Sequence, residues 1–325
     1  MEYNIAICGA TGLVGRTVLK EIYLQGLTNN NFTLFASKKS KNKKLKISDK
    51  KYKVKELTKN NLFNEHFDFA LFCTGDDISK MYVKKLAKKG TVVIDFSSLL
   101  RNKYPLIVPE INSKEIKGNI ICNPNCSTIA GTMSLYNIHK MFGIERIIYS
   151  TYQAVSGAGQ KAVKDLKVKN PKKLNKLDYL INNNLLPNIG EIKNNQYSKE
   201  ENKMIFETKK ILNDKKIKIA ATCIRVPIEI CHSESINFTI KTKASLEQIK
   251  NCLKNTKGVT YVDNDVSKLM PLYVKNKNDV YVGRLRKDEF NSHSFNMFIV
   301  SDNLKKGAAQ NGVQILKMLI GDKHE

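Results

Sequence analysis

Gly9-Ala10-Thr11-Gly12-Leu13-Val14-Gly15 follows an apolar run, Tyr3–Cys8, and opens a segment of helical spacing, Gly12–Leu24. Strand, glycine-rich turn and helix in that order form the context a dinucleotide-binding turn requires. The glycines let the backbone approach a pyrophosphate, and the helix start offers unpaired N–H groups and the positive end of its dipole. Gly9, Thr11, Gly12, Leu13 and Val14 are the expected phosphate contacts. Such a turn alone is also a common chain reversal, so the flanking elements carry the reading. Outward from it, apolar runs at Phe32–Phe35, Phe69–Cys73 and Val92–Asp95, with a helical pattern over Ile78–Lys89, predict a parallel sheet wrapped by helices. From Arg146 the texture changes to longer β-rich runs, Ile147–Gln153, Ile217–Val226, Ser235–Thr242 and Phe295–Val300, with a polar stretch over Lys169–Lys203. That pattern implies a second, sheet-based domain. Lys305–Ile320 has helical periodicity and is expected to return to the first domain. The expected division is 1–126 with 301–325 for the nucleotide-binding domain and 127–300 for the other.

A chain of 325 residues with 42% hydrophobic content has enough apolar side chains for two cores. No apolar run approaches the ~20 residues that span a bilayer, and Met1 leads straight into a strand, so a soluble cytoplasmic protein is expected. The seven cysteines are odd in number and lack a C-x-x-C pair. They read as free thiols with no metal site, and Cys8, Cys73 and Cys223 as small buried residues. A formal charge of +25 raises nucleic acid as a partner. The lysines are dispersed, however, there is no Trp, and no basic segment carries interleaved aromatics. Acidic small molecules fit better, and neither nucleic acid nor membrane is expected as a partner.

At the end of the second strand, NAD enzymes usually place an acidic residue for the ribose 2′-hydroxyl. Here the chain reads Ala36-Ser37-Lys38-Lys39-Ser40-Lys41. Hydroxyls and ammonium groups at Ser37, Lys38, Lys39 and Ser40 suit a 2′-phosphate, which favours NADP. The lysines beyond Lys41, as far as Lys51, read as a solvated loop.

Asn123-Pro124-Asn125-Cys126-Ser127-Thr128 ends one apolar run, Ile120–Cys122, and precedes Ile129, Met133 and Tyr136 at helical spacing. Cys126 therefore sits at or near a helix N-terminus, where the dipole and free N–H groups favour the thiolate. Two readings stay open on this local pattern, a nucleophile and a buried structural cysteine.

The ordered set of motifs resembles the aspartate-semialdehyde dehydrogenase family over nearly the whole chain. It comprises Gly9–Gly15, Asn123–Ile129, Ser150-Thr151-Tyr152-Gln153-Ala154-Val155-Ser156-Gly157-Ala158-Gly159, Arg225-Val226-Pro227 with His232-Ser233-Glu234, Val282-Gly283-Arg284 and Ser301–Ala309. The resemblance implies an α/β fold, with an N-terminal Rossmann-type domain and an α+β catalytic and dimerisation domain built on a large mixed sheet. It implies NADPH-dependent reduction of L-aspartyl-4-phosphate through a thioester on Cys126. His232 is then the acid/base partner, with an ordinary pKa near ~6.5, and Gln153 orients the acyl group. Arg225 holds the substrate carboxylate, Glu200 its ammonium, and Arg101 and Lys203 its phosphate. Ser156, Gly157, Gly159 and Asn311 are taken as further cofactor contacts, and a homodimer or tetramer as the assembly. His66, His139, His293 and His324 are left as structural or surface residues.

Three positions depart from the family pattern. Phe96 stands where an Asn is common, Gly75-Asp76-Asp77 where Gly-Gly-Ser is common, and Lys39 where an Arg is common. An added acid beside a pyrophosphate would repel it. The related reductase of N-acetyl-glutamyl phosphate typically reads Pro-Gly-Cys-Tyr at its nucleophile, against Pro124-Asn125-Cys126-Ser127 here. A non-catalytic NADP-binding protein would more often lack the nucleophile or the base.

Overall fold

The computed structural model describes residues 2–321, so His324 lies outside the described residues. The chain divides into two compact units, Met1–Pro124 with Ala308–Glu325, and Asn125–Gly307.

The first unit contains β1 (Asn4–Cys8), β2 (Asn31–Ala36), β3 (Lys44–Ile47), β4 (Lys50–Lys53), β5 (Lys55–Glu56), β6 (Phe69–Phe72), β7 (Val92–Asp95) and β8 (Ile120–Cys122). Six of these form a wholly parallel sheet in the order β5-β2-β1-β6-β7-β8. Helices cover both faces of such a sheet, so its strands are continuous apolar runs rather than alternating ones, and all four residues of β6 are buried. Set aside β3 and β4, and the order is 3-2-1-4-5-6, the doubly wound arrangement whose ligand crevice opens where the order reverses. That reversal falls at β1 and β6. The helix Gln310–Gly321 closes the core, with Val313, Ile315 and Leu316 in one cluster with Ile5, Ile7 and Ile94. Gly312 lies against the Phe96 ring, where an added Cβ would overlap it. The aromatic departure at Phe96 thus fits because a glycine faces it.

The expected solvated loop after Lys41 is instead a hairpin. Strands β3 and β4 pair antiparallel, and Leu45 and Ile47 alternate with lysines, turning inward to the core while the ammonium groups stay in water. The period-two pattern was present, masked by lysine density.

The second unit is built on β9 (Ile144–Gln153), β10 (Lys218–Arg225), β11 (His232–Ile240), β12 (Val259–Val262), β13 (Val280–Lys287) and β14 (Ser294–Ser301), in the order β10-β9-β11-β14-β13-β12. The sheet is mixed: β9 and β10 run parallel, as do β12 and β13, and the other neighbours are antiparallel. Helices Cys126–Phe142 and Lys199–Ile211 contact this sheet and each other. The second begins at a capping box in which Ser198 and Glu201 satisfy each other's free N–H groups. Among the described residues, no helix is long and apolar enough to cross a membrane.

Candidate active site

Strand register brings the chemical groups of the second unit together. Arg225 on β10 pairs with Gln153 on β9, and Ser233 on β11 pairs with Tyr152, which sets His232 beside Gln153. Registered residues share a face of a pleated sheet, so Arg225, Gln153 and His232 form one row along its edge. The helix Cys126–Phe142 presents its first residue to that row. His232 Nε2 lies 3.1 Å from Cys126 Sγ. The Ala154 N–H donates to His232 Nδ1 at 2.9 Å, and Arg225 Nη1 donates to the Ala154 carbonyl at 2.8 Å. The backbone N–H and carbonyl of one residue, Ala154, thus orient both side chains.

Asn125 is the N-cap of this helix, its Oδ1 accepting from Ser127 N and Thr128 N at 3.1 Å each. Its Nδ2 donates to Glu200 Oε1 at 2.6 Å, and its own N–H donates to Glu207 Oε2 at 2.7 Å. Lys203 Nζ donates to Glu200 Oε2 at 3.0 Å. Gln153 Nε2 donates to Ser127 Oγ at 2.9 Å. Cys126, His232, Gln153, Arg225, Glu200 and Lys203 therefore form one connected network within one unit. The helix dipole and the buried Arg225 guanidinium both favour a thiolate at Cys126.

The charges are sharply divided. Burial alone would raise the Glu200 carboxyl; Lys203, the Asn125 hydrogen bond and Arg225 outweigh it and push its pKa down to about 2. Burial lowers Arg225, with Glu200 and Cys126 opposing. His232 does not keep an ordinary imidazole pKa. Burial first, then the neighbouring Arg225, lower it to about 3, against the opposing pull of Glu200 and the Cys231 carbonyl. It is a neutral imidazole at any working pH.

Glycines allow the close approaches. An added Cβ on Gly157 would stand 3.2 Å from Arg225 Nη1 and 3.3 Å from His232 Nε2, and one on Gly307 would stand 3.0 Å from the Cys126 Cβ. Gly157, expected at the cofactor, lies against Arg225 and His232. Ser156 is held by Asn303, whose Nδ2 donates to its Oγ at 2.9 Å, and Gly159 has a left-handed φ of 93°. Asn125, Ser127, Glu207 and Gly307 were missed by the sequence reading. Only Asn125 carried a local signal, as the polar residue before a helix start.

One row beneath, Glu234 is wholly buried, and among the described residues neither carboxyl oxygen has a hydrogen-bond partner. Gly131 makes room for it, since an added Cβ would lie 3.2 Å from its Oε2. Burial raises this carboxyl well above the usual range, so the folded protein holds it as the neutral acid. The unfolded chain releases that proton above pH ~4.5 while the native state keeps it, so stability falls as pH rises from there toward the folded pKa. The Glu234→Gln variant has no proton to lose, and its stability relative to the parent is expected to increase between pH 4 and pH 8. Thermal midpoints of both proteins at the two pH values check this; a pH-independent difference would refute it.

In the first unit, Gly9 and Gly15 close the turn. An added Cβ on Gly9 would collide with the Cys73 carbonyl oxygen, and one on Gly15 with the Gly9 carbonyl oxygen. Gly12 caps the helix Leu13–Leu24 without any side-chain hydrogen bond, leaving first-turn N–H groups for an anion. Thr11 Oγ1 donates to Ser40 Oγ at 3.3 Å, tying the turn to the Ser37–Ser40 segment, where Lys38 and Lys39 are exposed. These residues fit a phosphorylated dinucleotide. Asp76 does not stand free to repel one: its carboxylate accepts from Ser98 N at 2.9 Å and Ser98 Oγ at 2.9–3.0 Å, and it occupies a helix first turn where negative charge is favourable. Arg101 is 8% exposed, with Nη2 donating to the Phe96 carbonyl at 3.0 Å. Asn311 is wholly buried, its Nδ2 donating to Ile107 O at 2.9 Å and Asn123 Oδ1 at 2.8 Å.

A doubly wound unit with a dinucleotide turn and a mixed-sheet unit carrying a Cys–His pair at a helix start are the parts of a nicotinamide-dependent oxidoreductase. Residues 4–119 match the family description "Semialdehyde dehydrogenase, NAD binding domain", and 135–306 match "Semialdehyde dehydrogenase, dimerisation domain". The chain is 43% identical to the aspartate-semialdehyde dehydrogenase of Aquifex aeolicus, covering 98% of each, and 40% identical to that of Bacillus subtilis, covering 97% of each. The crystal structure of aspartate semialdehyde dehydrogenase II complexed with ASA from Vibrio cholerae superimposes with a TM-score of 0.94 at 35% identity, covering 99% of both chains. The chain belongs to the aspartate-semialdehyde dehydrogenase family. It is accordingly an oxidoreductase of amino-acid biosynthesis with an NAD(P)-binding domain.

Proposed function

We propose that this protein reduces L-aspartyl-4-phosphate to L-aspartate 4-semialdehyde with NADPH, using Cys126 as nucleophile. The observation that carries the reading is the 3.1 Å approach of His232 Nε2 to a cysteine thiol at a helix N-terminus. The Cys126 thiolate attacks the acyl carbon, the C–O bond to phosphate breaks, and a thioester forms. The bound nicotinamide cofactor supplies the hydride that reduces it. The C–S bond then breaks, and Cys126 recovers its electron pair as the aldehyde leaves. His232 Nδ1 accepts from the Ala154 N–H, so the neutral ring carries its proton on Nε2, from where it hydrogen-bonds the Cys126 thiolate and stands ready to donate to the tetrahedral oxygen as the acid/base partner. Gln153, fixed on Ser127, orients the acyl group. Arg225 pairs with the substrate carboxylate, ionised Glu200 with its ammonium, and Arg101 and Lys203 with the phosphate.

The choice of NADP rests on the hydroxyl and ammonium groups of Ser37–Ser40 at the end of β2. With aspartate semialdehyde and phosphate, following nicotinamide absorbance, NADP is expected to be used in preference to NAD, and Lys38→Ala with Lys39→Ala to reduce that preference about tenfold. Equal use of both cofactors would remove the 2′-phosphate assignment. Reduction with N-acetyl-glutamate semialdehyde but not with aspartate semialdehyde would overturn the substrate. A homodimer formed through the 135–306 domain is part of this reading, as is a cytoplasmic location, in keeping with seven free thiols.

A further inference from the structure

A strap of chain outside the catalytic row is pinned at both ends. At one end is Asp165, the last residue of the helix Gln160–Asp165 and wholly buried. Its Oδ1 accepts from Asn175 N at 2.7 Å and Asn175 Nδ2 at 2.8 Å, and its Oδ2 accepts from Lys176 N and Leu177 N at 2.9 Å each. Nothing else in the segment 166–180 gathers so many backbone donors, and no metal or ammonium group is needed to hold this carboxylate.

At the other end, Leu186 and Arg225 form a reciprocal backbone pair, Leu186 N to Arg225 O at 3.0 Å and Arg225 N to Leu186 O at 2.9 Å. Ile181, between the pins, and Leu186, at the second, are buried in one cluster with Ala162 of the Gln160–Asp165 helix and with Val155. Val155 follows Ala154, whose backbone N–H and carbonyl hold His232 and Arg225 respectively. The strap therefore reaches the carboxylate-binding arginine by two routes, through its backbone at Leu186 and through the cluster behind the Ala154 peptide.

We propose that Asp165 is a positioning residue for substrate recognition, anchoring the strap that fixes Arg225 in the geometry a bidentate carboxylate contact demands. The inference rests on the assignment of Arg225 to the substrate carboxylate. Asparagine cannot replace Asp165, because its amide hydrogens would face the same N–H donors. Loosening the strap relaxes Arg225 without removing it, so a contact made equally in ground and transition states is weakened. Such a loss appears in KM more than in kcat.

The test compares Asp165→Ala, Leu186→Ala and Arg225→Lys with the parent in steady-state kinetics, using aspartate semialdehyde and, in parallel, propanal, which has no carboxylate. Asp165→Ala is expected to raise KM for aspartate semialdehyde about tenfold and to lower the preference over propanal by a similar factor, leaving KM for phosphate unchanged. Leu186→Ala, which keeps Asp165 and trims only the cluster, shifts both quantities the same way by less and serves if Asp165→Ala does not fold. A variant that loses activity toward both aldehydes in equal proportion would show a merely structural role and overturn the proposal. So would an unchanged preference in the strap variants where Arg225→Lys lowers it. If Arg225→Lys itself leaves the preference intact, the assignment of Arg225 fails instead.

Discussion

Cys126→Ala is expected to lower kcat by at least about 10⁴-fold with aspartate semialdehyde, phosphate and NADP, because no other group near the acyl carbon can form the thioester. The fold should survive. Asn125 caps the helix through its own side chain, and alanine retains the Cβ that packs against Gly307, so the substitution removes only the sulfur. Steady-state rates together with a thermal melt decide the matter. Retained turnover would disprove the nucleophile, and a collapsed melt with residual activity in the folded fraction would make Cys126 structural.

Arg225→Lys should spare kcat and raise KM for aspartate semialdehyde roughly 10- to 100-fold. Charged hydrogen bonds contribute about 1.5–3 kcal/mol each, and 1.4 kcal/mol corresponds to about one decade in affinity. Lysine keeps the charge but loses the fork. Arg225 uses Nη1 to anchor on the Ala154 carbonyl while its remaining N–H groups are available to a carboxylate. A single ammonium cannot hold the anchor and present a planar pair together. KM for phosphate should not follow, since that anion is assigned to Arg101 and Lys203. An unchanged KM for the aldehyde would remove Arg225 from the substrate site.

Much of the architecture was legible because it is written locally. Alternation of short apolar runs and helical spacing is enough to specify parallel strands with crossover helices, and the strands that were expected are observed with ends shifted by a few residues, while β12 and β13 were not expected. Tyr3–Cys8 became Asn4–Cys8, and Ser235–Thr242 moved back to begin at His232. Strand ends depend on pairing partners, which a linear pattern does not contain. The hairpin of β3 and β4 was missed for a related reason. Its inward positions, Leu45, Ile47 and Tyr52, are outnumbered by lysines, and only the core beneath them decides which face turns in.

The sequence by itself determined the nucleotide turn and the helix-start cysteine, since both depend on steric freedom and on free N–H groups within a few residues of the motif. It also indicated the family, through the order of several motifs. Tertiary structure alone decided the state of the charges. His232 and Cys126 are 106 residues apart and Asn125 and Glu200 are 75 apart, so neither the depressed imidazole nor the ionised Glu200 follows from any neighbouring residue. The protonated Glu234 and the Asp165 strap belong to the same category. Proton affinity and side-chain aim are set by burial and by long-range partners, and those exist only once the sheet has brought distant strands into register.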